Sequence, residues 1–179
     1  MSARIRTVLA TAVAAAGLAL VGPATASGAP STGARPAAAP RCSNAALAVS
    51  FHHKRGGEAM NQRWGWLVIR NRSGHRCVTG GFGGVSYVGH GNGTQIGSAA
   101  RRTGTAHSYV LRPGQRLRSL VHEVNADVYD RSACHPRHVD GFRVYVPNAT
   151  RSQYVPHPTT GCAVKSVHLI DHRAYARPA

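Results

Sequence analysis

The sequence predicts an all-β fold, an immunoglobulin-like β-sandwich built as a single domain and held by two disulfides. Three observations carry this reading. Short runs alternate apolar and polar residues, turn chemistry recurs roughly every eight to twelve residues between them, and no segment sustains a 3.6-residue period.

In chain order, Leu47, Val49 and Phe51 alternate with Ala48, Ser50 and His52, the pattern of a half-buried strand. Trp64 to Arg70 is apolar at both parities, which predicts a central strand covered on both faces. Trp64 and Trp66 share a parity, so an exposed face would offer two rings for stacking on sugars, against the commoner fate of core packing. Asn71-Arg72-Ser73-Gly74 is a turn, after which Cys77 opens the returning strand. Gly80, Gly81, Gly83 and Gly84 lead into an extended Val85-Ser86-Tyr87-Val88 instead of a helix, so they read as a bulge or turn and not as a phosphate cradle.

Asn92-Gly93 signals a hairpin. Ala106–Leu111 and Leu117–Val124 read as strands joined by Arg112-Pro113-Gly114-Gln115, a type II turn. One helical turn is expected between Asp130 and His138. Phe142, Val144 and Val146 then alternate with Arg143 and Tyr145 until Pro147 ends the strand, and a last alternation runs from Cys162 to Ile170.

The N-terminus has the order of an export signal: Arg4 and Arg6, an apolar run from Thr7 to Gly22, then Ala24-Thr25-Ala26 before Ser27. Cleavage there makes 1–26 a signal peptide and implies a protein that is secreted or held at the cell surface. The alternative is an uncut anchor, although about 16 apolar residues fall short of the roughly 20 that span a bilayer. Residues 27–41 form a Pro/Ala-rich linker too poor in apolar groups to order itself. The folded domain is expected over 42–171, followed by a tail at 172–179 without hydrophobic pattern.

Cys42, Cys77, Cys134 and Cys162 allow three pairings, and proximity along the chain favours Cys42 with Cys77 and Cys134 with Cys162. The absence of Cys-x-x-Cys spacing points to structural bridges in an oxidising compartment.

Charge bounds the partners. Lys and Arg number 22 against 6 Asp and Glu, and losing Arg4 and Arg6 with the signal leaves 20 − 6 = +14. Such a surface attracts an anionic cell-envelope polymer or protein, with no signature of specific nucleic-acid readout, and touches a membrane only if the signal stays uncut.

No catalytic constellation emerges, so the expectation is a non-catalytic module without cofactor. Ser86 lacks the Gly-x-Ser-x-Gly elbow. Glu58, Glu123, Asp127, Asp130, Asp140 and Asp171 form no sequence-adjacent acid/base pair; an exported hydrolase would need the fold to bring two together, for example Glu123 and Asp140. Histidine is plentiful, and imidazole suits zinc or copper. His52-His53, His135-x-x-His138, His157, and the pair His168 and His172 are candidate ligands, but the second pair at finger-like spacing is missing. No metal site is assigned; His135, His138, His168 and His172 stand as candidates for the alternative reading, metal binding.

Cys42 at the domain start, Asn71-x-Ser73-Gly74-x-x-Cys77, Leu111-x-Pro113-Gly114 and Cys134-x-Pro136 together resemble a family of exported actinobacterial domains catalogued as domain of unknown function 4232. The resemblance spans Cys42 to about Ile170. It implies a secreted or surface-tethered, disulfide-containing β-sandwich and no reaction; the histidines are not part of the family pattern.

Overall fold

The computed structural model describes residues 38–179; the expected signal segment and the linker as far as residue 37 lie outside the described residues. Within them the alternating runs form strands β1 (Leu47–Ala59), β2 (Gln62–Asn71), β3 (Cys77–Gly80), β4 (Gly84–Gly89), β5 (Thr94–Ile96), β6 (Arg101–Thr103), β7 (Ser108–Leu111) and β8 (Arg116–Val124). The single-turn helix α1 (Arg131–Cys134) precedes β9 (Pro136–Tyr145), β10 (Ser152–Cys162) and β11 (Ile170–Arg173).

One sheet has the order β1-β2-β8-β11-β6, a second β10-β9-β4-β5, and β3 pairs with β7 as a separate ribbon. Every pairing is antiparallel except β11 with β6. The sheets enclose a shared core in a sandwich-like arrangement. Leu47, Leu67, Ile69, Leu117 and Val121 come from the five-stranded sheet, and Val85, Tyr87, Phe142, Val144 and Val155 from the four-stranded one. Burying each large side chain contributes about 1.5–3 kcal/mol. Gly65 on β2 belongs to this packing: a Cβ there would run into the ring of Phe51. Disulfides join Cys42 to Cys77 and Cys134 to Cys162.

Some features lie beyond the sequence reading, and others correct it. The β1–β2 hairpin turns at Met60 and Asn61, with φ of 46° and 64°. Two successive left-handed residues are what a tight type I′ turn requires, and no glycine marks them. The Arg112–Gln115 turn forms, with Gln115 N donating to Arg112 O at 3.0 Å and φ +79° at Gly114. It joins different sheets, because β7 pairs with β3 and β8 with β2. Cys77 likewise opens a strand that leaves its predecessor. β2 is covered on one face only; Trp64 and Trp66 point away from the core and are half-buried.

β10 escaped the sequence reading because Pro156 and Pro158 interrupt it. It is an edge strand whose register shifts between Pro156 and Thr159, a place where prolines are tolerated. The alternation from Cys162 to Ile170 becomes strand only at Ile170, the intervening residues forming a loop.

The domain edges also move. Pro40 O accepts from Val78 N at 2.7 Å and Cys42 N donates to Val78 O at 2.9 Å, so the folded part begins inside the expected linker. The expected tail starts within β11: His172 is fully buried, and Tyr175 beyond it is 1% exposed and bridges to Gly81. Among the described residues no helix is long and apolar enough to cross a membrane.

Candidate functional site

Two polar constellations stand out, one sealed in the core and one open on the outer face of the five-stranded sheet.

The interior one centres on Glu123. In β8, Leu117, Ser119, Val121 and Glu123 share the core-facing parity, so the strand carries a carboxylate inward. Its Oε1 accepts from the Tyr87 hydroxyl on β4 and from His157 Nε2 on β10 at 2.9 Å, tying one sheet to the other. The bulge at Pro156 to Thr159 aims His157 inward, where it stacks on Phe142 at 4.5 Å and meets Phe51 edge-on at 4.7 Å. Arg63, directly across from Glu123 on β2, donates to Thr159 Oγ1 at 2.6 Å and adds positive field.

Burial alone would raise the Glu123 carboxyl; hydrogen bonds and charge from His157, the Tyr87 hydroxyl and Arg63 outweigh it and hold the group below its usual range. Burial first, then the Glu123 charge, pushes the Tyr87 phenol well above its usual value. Exposures of 0% for Glu123, 2% for Tyr87 and 4% for His157 leave no path for a substrate. This cluster is a cross-sheet tie.

The outer face is reachable. The parity that places Leu117 and Val121 inside places Arg118, Leu120 and His122 outside, beside Trp64 and Trp66 of β2. Cross-strand register then builds a row over four strands: Trp64 opposite His122, His122 opposite Asp171, Asp171 opposite Arg101. Trp64 stacks on His122 at 4.9 Å and 25°. His122 lies between Gln62 Oε1 at 2.8 Å and Asp171 Oδ2 at 3.5 Å, and Arg101 Nε donates to Asp171 Oδ1 at 2.7 Å. Partial burial works to raise the Asp171 carboxyl, but the Arg101 hydrogen bond and charge, with His122 behind them, hold it below the usual carboxylate range.

Beside that row, the Arg118 guanidinium lies 4.1 Å above the Trp66 ring. Arg177 is fixed too, over Tyr109 at 5.7 Å and donating to Val110 O at 3.1 Å. Arg118, Arg173 and Arg177 line a groove of about 300 Å³ together with Trp66, Leu120 and Ala179, and among the described residues no Asp or Glu side chain lines it. A second hollow of about 280 Å³, bordered by Trp64, His122 and Asp171, shares Thr103, Leu120 and Arg173 with the first. The two form one trough. Stacked guanidinium groups lose little freedom on binding and present paired donors to carboxylate or phosphate, so the basic end is pre-organised for anions.

The candidate ligands from the sequence are scattered. His135 caps α1 with a left-handed φ of 48°, and His138 is exposed on β9, 3.4 Å from Asp140. His168 is exposed in the loop before β11. His172 is buried on β11 near Ser119 Oγ at 3.3 Å, and burial lowers its pKa. Among the described residues no three His, Cys, Asp or Glu are grouped to hold a metal. Glu123 and Asp140 do not form the acid pair a hydrolase would need: Asp140 accepts from Gly91 N at 2.8 Å instead.

Sequence reasoning missed the Glu123 tie and the Arg118–Trp66 stack. The signal for the first was a glutamate at the parity of Leu117 and Val121; for the second, Arg118 at the opposite parity. Residues 42–173 match the model of a family described as a domain of unknown function, DUF4232. No curated protein matches the chain, and no solved structure does.

Proposed function

The chain belongs to the DUF4232 family of domains of unknown function, and we propose that it is an exported, immunoglobulin-like sandwich that holds an anionic envelope polymer without catalysing a reaction. The observation that carries this is the Arg118 guanidinium fixed on Trp66 in a groove lined also by Arg173 and Arg177, with no Asp or Glu side chain among the described residues lining it. A chain with 22 basic and 6 acidic side chains draws polyanions to its whole surface, and the trough gives them a place to dock.

A non-catalytic role is supported by the state of the acids. Glu123 is sealed away and hydrogen-bonded, and Asp171 is kept ionised beside Arg101, so neither is placed to exchange protons with a substrate. The two disulfides suit an oxidising exterior.

Retention of the protein on a column of immobilised anionic wall polymer tests the reading. Elution should shift to markedly lower salt for Arg118→Ala, since exposed charge attraction is screened within about 8–10 Å at physiological salt. Retention that ignores both salt and the substitution would refute it.

A further inference from the structure

The trough has two chemically different ends, and the difference specifies the polymer. We propose that it binds an acidic polysaccharide in which acidic and neutral sugars alternate, the acidic group held by Arg118, Arg173 and Arg177 and the neutral ring lying on Trp64 beside Asp171. This rests on the docking role assigned above to the same face and adds the class of ligand.

The basic end accepts any anion of suitable size. At the other end Trp64 offers an indole stacked on His122, and the Asp171 carboxylate, paired with Arg101 Nε at 2.7 Å, borders the same hollow. Asp171 is ionised and half-buried. A polymer carrying charge on every unit, such as polyphosphate, finds there a guanidinium already committed to Asp171, whereas a neutral sugar can donate hydroxyls to the spare lone pairs of that carboxylate while its C–H face covers the indole. Trp64 and Trp66 lie two residues apart on one face of β2, about 6.6 Å along the strand, so neighbouring units of one ligand can reach both ends. The shared lining residues Thr103, Leu120 and Arg173 keep the path between the ends continuous.

Calorimetric titration of the folded chain with three probes of matched charge tests this: an oligosaccharide alternating uronate and N-acetylhexosamine, linear polyphosphate, and a single-stranded oligonucleotide. The alternating oligosaccharide should bind about tenfold tighter than either of the others, a difference of about 1.4 kcal/mol. Trp64→Ala should remove that preference, lowering oligosaccharide affinity about tenfold relative to polyphosphate, and Trp64→Phe, which keeps a ring, should retain part of it. Arg118→Ala should weaken all three probes.

Equal affinity for the three probes, or an oligonucleotide preference, overturns the polysaccharide assignment while leaving the anion-docking role in place. Oligosaccharide binding indifferent to both Trp64 variants does the same. Indifference of every probe to Arg118→Ala overturns the docking role itself. Near-ultraviolet circular dichroism of each variant confirms that the comparison is between folded proteins.

Discussion

His157 Nε2 stands 2.9 Å from Glu123 Oε1 in the interior, the imidazole carried by one sheet and the carboxylate by the other. Removing the carboxylate from water costs several kcal/mol, and its hydrogen bonds to His157 and the Tyr87 hydroxyl, with the charge of Arg63, offset that cost. The tie therefore matters most when half of it is lost. Glu123→Leu should destabilise the fold by about 3–5 kcal/mol in denaturant unfolding. Glu123→Leu combined with His157→Phe should cost clearly less than the two single effects added together. Strict additivity would show that the groups do not act as a pair.

Acid should unfold the protein in a way set by three groups. Glu123 and Asp171 have depressed folded values, so their contribution is fully present above the unfolded carboxylate range of about 4 and is lost as pH falls through the lower folded values. His172, lowered by burial, contributes stability that begins to fade below the unfolded histidine value of about 6.5. Unfolding free energy should thus begin to decline as pH falls below about 6.5 in the native chain and stay flatter there in His172→Gln. An identical slope in both proteins would remove His172 from the account.

Each disulfide closes a long loop, spanning sequence separations of 35 and 28 residues. Chain-entropy reasoning gives a stabilisation of about 3–4 kcal/mol apiece. Replacing Cys134 and Cys162 together by alanine should lower the denaturant midpoint accordingly, and reduction of the native protein should lower it further. Native protein whose midpoint does not respond to reductant would contradict the bridges.

Gly65→Ala should cost about 1–3 kcal/mol, because the added methyl meets the Phe51 ring inside the sandwich. Adding Phe51→Leu should recover part of the loss. No recovery would mean that the backbone, not the ring, sets the cost.

Much of the strand pattern was legible because alternation along Leu47–Phe51, Leu117–Val124 and Phe142–Val146 reports one buried face directly. What stayed hidden depended on pairing between distant strands. Pro156 and Pro158 disguised an edge strand, and Met60-Asn61 turned a hairpin without glycine. His172 and Tyr175 gave no local period, since each is buried by partners that come from elsewhere in the chain. The functional face was half legible: the shared parity of Trp64 and Trp66 was visible, but the arrival of Arg118, Asp171 and Arg177 beside them is a matter of sheet order.

The most direct test separates the trough from overall charge. Affinity for an anionic wall polymer is measured for the native chain, for Arg118→Ala/Arg173→Ala/Arg177→Ala, and for Arg55→Ala/Arg131→Ala/Arg151→Ala, whose side chains are exposed and do not line the trough. Both variants lose three positive charges. A docking face predicts that the first loses at least about tenfold more affinity than the second; equal losses would contradict it and leave only a uniformly basic surface.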